Sequence, residues 1–375
     1  LVQHCSLPLS EMRSLLQRER SQDAAMWARY KLQQYPLLRL DDGTLLPVRF
    51  QFVIQRIFGD HLFLESHDML RTENAKAADH FASAMRDIFE ERVGDVLDRI
   101  RGYDQTATTV LVEESAMRRA WRSSKGKLPK ICDFALFKQN TAVLVDANMR
   151  NLPQPFAERS GSFEALQGEI DSRFTTTKFK QLLSTIELFM KHGWNRSGVS
   201  VTRRTQFVPL VVVPDAGMPS ELAVENTVFV RSLPLVKQYN DDLNFYRVHV
   251  PAILCWRDLL MLDGLAEQGQ DVFTVLKRWR NIDPLGRYGR EPLPLPLREF
   301  LEQRYPGSVL SRYEHRQGWD LFERLRTHSA ERMIDAAPEA ERDELRHVMQ
   351  VELDALPTWE TRGDWSADGS RQTAD

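Results

Sequence analysis

Two aspartates, Asp133 and Asp146, lie near the two ends of the stretch CDFALFKQNTAVLVDANMR, which covers residues 132–150. The apolar residues between them, and the polar pair Gln139 and Asn140 in the middle, predict two strands joined by a tight turn. Such a hairpin brings both carboxylates to its open end, where carboxylate oxygens can hold a hard divalent cation. The chemistry suited to that geometry is metal-assisted hydrolysis.

A third carboxylate is expected from the helix that precedes the hairpin. Apolar residues spaced by three and four positions predict a helix over residues 76–101. A helical-wheel count places Glu90 nearer than Glu91 to the apolar face of that helix. The expected metal ligands are therefore Glu90, Asp133 and Asp146, and the expected ion is Mg²⁺ or Mn²⁺.

The rest of the hydrophobic pattern predicts an α/β protein. Further helices are predicted over residues 10–39, 163–192, 256–281, 297–305 and 315–355, and further strands within 38–54, 106–115, 206–215, 226–233 and 245–255. From position 76 to 215 the order is helix, strand, hairpin, helix, strand, which implies a mixed sheet with helices packed on it. The sequence PLPLPL at 292–297 is typical of a linker.

These elements and residues together resemble the PD-(D/E)xK nuclease superfamily, whose core carries an acid on the first hairpin strand and a D/E-x-K motif on the second. Here the pattern reads Cys132-Asp133 and then Asp146-Ala147-Asn148. FEERV at 89–93 looks like the helix that supplies an optional first acid, Glu90. KFKQLLSTI at 178–186 looks like the second core helix, which in several branches carries a Lys or Gln facing the site.

The resemblance covers roughly residues 76–260 and implies a restriction-endonuclease-like mixed sheet flanked by helices. It leaves a mostly helical N-terminal extension at 1–75, a C-terminal helical region at 261–358 and a tail at 359–375 that is expected to be disordered.

The sequence departs from the superfamily pattern at Asn148, because an amide carries no charge where the motif lysine stands. Lys178 is the preferred substitute, since it shares a helix face with Gln181, three residues further on. Lys180 and Arg150 are further candidate cations. The residues expected to act in catalysis are therefore Asp133, Asp146, Asn148, Lys178 and Gln181.

The function that the resemblance implies is Mg²⁺-dependent cleavage of nucleic acid, in the first place DNA, with a role in restriction or anti-phage defence in a bacterial cytoplasm. A homodimer or a partner protein from a defence system is compatible with it. Two alternatives stay open. One is a catalytically inactive nuclease fold that serves as a platform for binding nucleic acid or protein, which Asn148 favours. The other is a helical adaptor in which the hairpin is incidental.

Composition limits the choice of partners. The 375 residues are 42% hydrophobic and 27% charged, and the formal net charge is −3, so contact with nucleic acid must depend on local basic patches. Three widely separated cysteines form neither a disulfide framework nor a zinc motif, as expected in a reducing cytoplasm. No apolar run is long enough to cross a bilayer and no secretory signal is evident, so no membrane partner is expected.

The segment KRWRNIDPLGRYGRE at 277–291 mixes arginine with aromatic residues. Arginine can bind phosphate and aromatic rings can stack on unpaired bases. Amphipathic helices whose aromatic residues pack inward are about twice as frequent an explanation of this pattern, and both interpretations stay open.

Overall fold

The computed structural model describes residues 5–20, 29–49, 52–53, 56, 60–122, 130–150, 162–194, 199–215, 217–240, 247–283, 290–307 and 310–355. A small sheet lies near the start of the chain, with strands β1 (Ser6–Pro8), β2 (Leu37–Arg39) and β3 (Leu45–Pro47) beside helices α1 (Leu9–Arg20) and α2 (Arg29–Gln34). Strand β2 pairs parallel to β1 and antiparallel to β3. Gly43 makes the predicted turn between β2 and β3 with a φ of 85°, a conformation that favours glycine.

A five-stranded mixed sheet forms the centre of the fold. Its strands follow one another across the sheet in chain order: β4 (Val110–Glu113), β5 (Phe134–Lys138), β6 (Thr141–Ala147), β7 (Gln206–Val213) and β8 (Ala252–Cys255). Strands β4, β5 and β6 pair antiparallel, whereas β6, β7 and β8 pair parallel. Gln139 and Asn140 form the turn between β5 and β6, so the predicted hairpin is confirmed and lies in the middle of the sheet.

Helices cover both faces of this sheet. The further α-helices that the structure describes are α3 (Asp60–Glu73), α4 (Ala75–Gly102), α5 (Glu114–Trp121), α6 (Phe163–Glu169), α7 (Phe179–His192), α8 (Leu222–Val236), α9 (Trp256–Glu267), α10 (Val272–Arg280), α11 (Leu297–Arg304), α12 (Arg312–Ala336) and α13 (Arg342–Ala355). Val143 and Val145 of β6 face a core shared with α4, α9, α10 and α11, whereas Ala142 and Leu144 face a core shared with α5, α7 and α8. The protein therefore has a mixed α/β fold, as predicted.

Helix α4 begins and packs as its sequence predicts. The side chain of Asn74 caps it by accepting hydrogen bonds from the backbone N–H groups of Lys76 and Ala77. Four of its buried residues repeat at helical spacing: Val93, Val96, Leu97 and Ile100. A Cβ on Gly94 would lie 3.0 Å from the ring of Phe134, so this glycine lets α4 approach β5 closely.

The crossover between β6 and β7 contains a π-helix. The predicted helix at 163–192 is helical throughout, but residues Ile170–Lys178 between α6 and α7 form π-helix. The Thr176 hydroxyl donates to the carbonyl oxygens of Asp171 (2.9 Å) and Ser172 (3.0 Å), and the Thr177 hydroxyl donates to Ser172 (3.0 Å). β-branched residues form α-helix less readily, and their hydroxyls here satisfy carbonyls of the widened turn.

The strand predicted at 226–233 is wrong, because these residues belong to α8. The β-branched residues in NTVFVRSL suggested a strand, but the buried residues of α8 follow a helical period: Val224, Glu225, Val228, Ser232 and Val236. Tertiary packing against the sheet outweighs the local preference for extended structure. A strand that was predicted within 245–255 is present as β8.

The sequence PLPLPL does not behave as a free linker. The indole N–H of buried Trp279 donates to the carbonyl oxygen of Leu295 at 2.7 Å, and Leu297 starts α11 with its side chain 1% exposed. Proline removes backbone donors and stiffens the segment, which allows it to pack along the core in an extended form. The segment therefore packs against the core on the way to α11.

Helices α12 and α13 form the C-terminal part that the structure describes. Arg99 of α4 anchors α12, because its guanidinium contacts buried Asp263 of α9 at 3.0 Å and Glu314 of α12 at 2.9 Å. The tail predicted to be disordered, 359–375, lies outside the described residues. Among the helices that the structure describes, none has the length and apolar character needed to span a membrane.

Candidate metal centre

The β5–β6 pairing places the two aspartates opposite each other. Phe134 pairs with Val145, so Asp133, one residue before β5, lies beside Asp146 near the end of β6. One oxygen of Asp133 accepts a hydrogen bond from the backbone N–H of Ala147 at 2.7 Å, and Asp146 is completely buried. The two carboxylates therefore share one end of the central hairpin.

Helix α7 and the π-helix bring two side chains to Asp146. The ammonium of Lys178 lies 2.6 Å from Asp146 Oδ2. The amide of Gln181 donates to Asp146 Oδ1 at 2.9 Å and to the carbonyl oxygen of Ile131 at 2.6 Å. Lys178 thus contacts Asp146, the acid of the D/E-x-K-like motif, which the sequence alone could not establish, and Gln181 binds the other oxygen of the same carboxylate.

Three carboxylates converge beside this pair. Glu90, Glu114 and Asp133 each offer an oxygen, and these three oxygens lie within 4.8 Å of one another. Glu90 comes from α4 and Glu114 from the first residue of α5. The backbone N–H of Glu114 donates to the carbonyl oxygen of Asp133 at 2.6 Å, which fixes their relative position.

Glu114 is a site residue that the sequence analysis missed. The β4–β5 register pairs Glu113 with Phe134 and so brings Glu114 next to Asp133. The only sequence signal was a pair of acids, Glu113 and Glu114, near the end of the β-rich segment 106–115, and its meaning depended on β4 lying beside β5. That pairing is not encoded in residue spacing.

Burial dominates the electrostatics of the acids. Burial raises the pKa of Asp133 to about 8, helped by the charges of Asp146 and Glu90, while the Ala147 N–H and Lys178 act in the opposite direction. Burial also raises the pKa of Asp146 despite the nearby Lys178. Burial, with the charge of Glu114, raises the pKa of Glu90. Crowded carboxylates of this kind are stabilised by a cation.

Two cations already border the acids. Besides Lys178, Arg118 of α5 contacts Glu114 one turn earlier in the same helix, and this contact raises the pKa of Arg118. The Arg118 side chain is 36% exposed, so it lies at the rim of the cluster. The cluster therefore combines oxygen ligands suited to Mg²⁺ or Mn²⁺ with positive charges at its edge.

Three other residues that the sequence analysis considered are Asn148, Arg150 and Lys180. The backbone N–H of Asn148 donates to the carbonyl oxygen of Val212, and among the described residues its half-buried side chain makes no hydrogen bond. Arg150 contacts Glu169, and its guanidinium lies 5.3 Å from the ring centre of Phe174. Lys180 is exposed.

The basic aromatic segment packs inward where the structure describes it. Trp279 and Arg280 are each 1% exposed, and Arg280 contacts the carboxylate of buried Glu225. This part of the segment fits the amphipathic-helix interpretation. Residues 284–289 of the segment lie outside the described residues.

Comparison with known proteins assigns the chain to no family. No protein-family model matches the chain, and no curated protein matches it significantly. What the fold and the site define is a mixed α/β protein in which a half-buried lysine contacts a buried aspartate beside three clustered carboxylates.

Proposed function

We propose that the protein is a metal-dependent nuclease that hydrolyses phosphodiester bonds of nucleic acid, in the first place DNA. The observation that carries this proposal is the contact between Lys178 and Asp146 beside the oxygens of Glu90, Glu114 and Asp133. Hydrolysis of a phosphodiester needs a cation beside the phosphate, an activated water and positive charge that offsets the charge of the transition state. The site has residues for each need.

The arrangement of elements supports the same proposal. A helix (α4), three antiparallel strands, a crossover helix (α7) and a parallel strand (β7) follow in the order that the PD-(D/E)xK resemblance implies. Glu90, Asp133 and Asp146 are the acids that the resemblance implies, and Lys178 ends the π-helix directly before α7, the helix that the resemblance implies as the second core helix. Restriction or anti-phage defence in a bacterial cytoplasm is the setting that we propose for this activity.

Each residue has a separate task in the proposed reaction. Asp133 and Glu90, with Glu114, would hold Mg²⁺ or Mn²⁺ through carboxylate oxygens, and the bound ion would lower the pKa of a coordinated water. Asp146, predicted as a third ligand, lies outside the group of three carboxylates, and its two oxygens contact Lys178 and Gln181, so it would hold Lys178 beside the ion.

Lys178 takes over the tasks of the missing motif lysine. Its ammonium lies 2.6 Å from Asp146 Oδ2 and carries three donors, which can orient the attacking water and face the phosphate oxygens. Gln181 holds Asp146 in place from the opposite oxygen. Asn148 contributes no charge to this reaction.

The test is a nuclease assay with Mg²⁺ or Mn²⁺ on single- and double-stranded DNA and on RNA. We expect the wild-type protein to cleave, and Lys178→Met to lower the rate at least about 100-fold, as is common when a group acting on the transition state is lost. Asp146→Asn should do the same. Lys180→Met is the matched control, because this lysine lies two residues further along the chain and is exposed, so its loss should leave the rate unchanged.

The alternative is an inactive nuclease fold that only binds, and the same experiment distinguishes it. Absence of cleavage with either metal, together with nucleic-acid binding that Asp146→Asn does not alter, would contradict the enzyme proposal and favour the binding platform. Equal loss of activity in Lys178→Met and Lys180→Met would contradict the role of Lys178.

A further inference from the structure

Exposed apolar side chains are concentrated on the C-terminal helices. Seven of the sixteen large apolar side chains that are exposed in the described part of the chain lie on α12 and α13. Four of them belong to α12 beyond its first turn, and each is between 43% and 54% exposed: Leu321, Phe322, Leu325 and Met333. Clustered apolar surface on a folded protein marks a place where another molecule binds.

These four side chains share one side of the helix. At 100° per residue they fall within an arc of about 120°. Apart from Arg332, every residue from Gly318 to Ala336 in this arc is apolar or small, and all are exposed. The α12 face consists of Gly318, Leu321, Phe322, Leu325, Ser329, Met333 and Ala336. It is roughly 27 Å long at about 1.5 Å per residue.

The opposite side of α12 is the one that packs within the molecule. Ala330 on that side is buried, and Glu323 and Ile334 are half-buried. Helix α13 packs on α12 after a short connection, and it adds the exposed side chains of Val348 and Val351. The α12 face is therefore turned away from the protein's own core.

The charges of the two helices indicate which kind of partner fits. Helix α12 carries five arginines and five acidic residues, and α13 carries two arginines and four acidic residues. Helices that bind nucleic acid or an anionic membrane surface have an excess of positive charge. Balanced charge beside an apolar face fits a protein surface with the same balance, and a second copy of α12 has it.

Two copies of α12 are complementary when they run antiparallel about the centre of the face, at position 327. Residues equally distant from that centre then lie opposite each other, to within one residue. This pairing sets Leu321 and Phe322 of one copy beside Met333 of the other, and Arg324 beside Glu331. A twofold axis repeats each contact, and the helix dipoles of an antiparallel pair attract each other.

The charged residues along the edge of the face are available for this pairing. Within the described part of the chain, Arg324 forms no ion pair and bonds only to the backbone oxygen of Asp320, and Glu331 is paired only with exposed His328 at 3.7 Å. Asp320 and Asp335 fall opposite each other near the two ends of the contact, where solvent and salt screen their repulsion.

We propose that the α12 face binds the same face of a second copy of this chain, so that the protein forms a twofold-symmetric dimer through its C-terminal helices. A stable interface buries roughly 800 Å² on each partner. Helices α12 and α13, with 25 and 14 residues, are long enough to provide it together. Neither helix carries a residue of the acid cluster, so this proposal does not depend on the nuclease proposal.

The mass of the full chain in EDTA, without nucleic acid, tests the proposal. Sedimentation over a wide range of concentrations should show a species of twice the 43.5 kDa of the chain, which dissociates on dilution. Phe322→Glu and Leu325→Glu should each weaken association about tenfold or more, because each places a charge in the apolar contact. The control Met69→Glu changes an exposed apolar residue of α3 and should leave association unchanged.

Charge reversal tests the antiparallel arrangement. Arg324→Glu and Glu331→Arg should each weaken association, because each sets like charges beside one another in the dimer. The double variant should restore association, since the two charges are then opposite again.

The proposal is overturned if the wild type has the mass of one chain at every concentration, or if Leu325→Glu associates as strongly as Met69→Glu does. A double reversal that associates no better than the single variants overturns the antiparallel arrangement. All the substituted side chains are exposed, so each variant should retain the wild-type Tm, and circular dichroism verifies that it is folded.

Discussion

The carboxylates near Asp133 are held together at an electrostatic cost. Burial and the neighbouring charges raise the pKa of Asp133 to about 8, so near neutral pH this group retains a proton that a divalent cation would displace. The backbone fixes the position of the acid, through Ala147 on one side and Glu114 on the other. The site is thus arranged before any ion binds.

A bound cation should therefore raise the melting temperature. We expect Mn²⁺ to raise the Tm of the wild-type protein by several degrees, because it binds the folded but not the unfolded chain. Asp133→Asn should abolish the increase and Glu114→Gln should reduce it. Asp95→Asn is the control, since this acid of α4 is exposed and paired only with Arg92 among the described residues. The measurement is thermal unfolding with and without metal, and an equal increase in Asp133→Asn would contradict the predicted ligand set.

Buried His249 makes stability depend on pH. Its pKa is about 4 in the folded protein against 6.5 for the free side chain, because burial disfavours the charged form. The unfolded chain therefore takes up a proton between these two values while the folded chain does not. The contribution of His249 is fully present above pH 6.5 and falls by about 3 kcal/mol as the pH is lowered to 4.

Replacement of this histidine should flatten that dependence. Urea unfolding at several pH values should show His249→Gln losing less stability than the wild type between pH 6.5 and 4. His192→Gln removes an exposed histidine at the end of α7 and should retain the wild-type slope. If the two variants have the same slope, His249 is not neutral in the folded protein.

At the scale of single elements, the π-helix determines where Lys178 and Gln181 lie relative to the acids. Lys178 is its last residue, and Gln181 follows in α7. A π-helix changes the angular position of every residue after it relative to an α-helix, so it decides which side chains of α7 face Asp146. The hydroxyls of Thr176 and Thr177, which bond to carbonyls four and five residues earlier, stabilise this local geometry.

Removing these hydroxyls should impair the site more than the fold. We expect the double variant Thr176→Val and Thr177→Val to lower the cleavage rate about tenfold or more while the Tm changes little, because both residues are exposed. Thr227→Val is matched to it, since the Thr227 hydroxyl bonds to a carbonyl four residues earlier in ordinary α-helix α8. Kinetic assays should show a lower kcat with KM retained. A fall in Tm without a change in kcat would assign the threonines a purely structural role.

The elements that local sequence controls were predictable, and those that depend on tertiary pairing were not. The hairpin around Gln139 and Asn140, the buried strand β7 and the long helix α4 follow from periodicity and turn residues. Helix α8 was missed because its β-branched residues favour a strand while its packing requires a helix. Glu114 was missed because only the pairing of β4 with β5 brings it to Asp133.

The placement of Lys178 shows the same limit. Its spacing from Gln181 indicated a shared helix face. The distance to Asp146, however, depends on the π-helix, and a search for the α-helical period of 3.6 residues per turn does not predict a π-helix. The resemblance to a nuclease core led to the expectation that this helix faces the acids. The contact between Lys178 and Asp146 itself results from the packing of α7 on the sheet.

At the scale of the whole molecule, one buried ion network joins the C-terminal helices to the sheet layer. Arg99 of α4 binds Asp263 of α9 and Glu314 of α12, and the Ser311 hydroxyl donates to Asp263 at 2.7 Å. The ring of Tyr313 lies 4.2 Å from the Arg99 guanidinium carbon. Since Asp263 is completely buried, these partners offset the cost of removing its carboxylate from water.

Loss of Arg99 should therefore destabilise the protein strongly. Arg99→Ala leaves Asp263 as a buried charge without its cation, and we expect a loss of about 3–5 kcal/mol in the free energy of unfolding. Arg101→Ala, two residues away on the same helix, removes an exposed arginine paired with Asp98 and should change it by about 0.5 kcal/mol or less. Urea unfolding of both variants measures the difference. Similar values for the two would mean that α12 is held by apolar packing alone, whereas a large difference confined to Arg99→Ala would show that this network couples the C-terminal helices to the stability of the layer that carries Glu90.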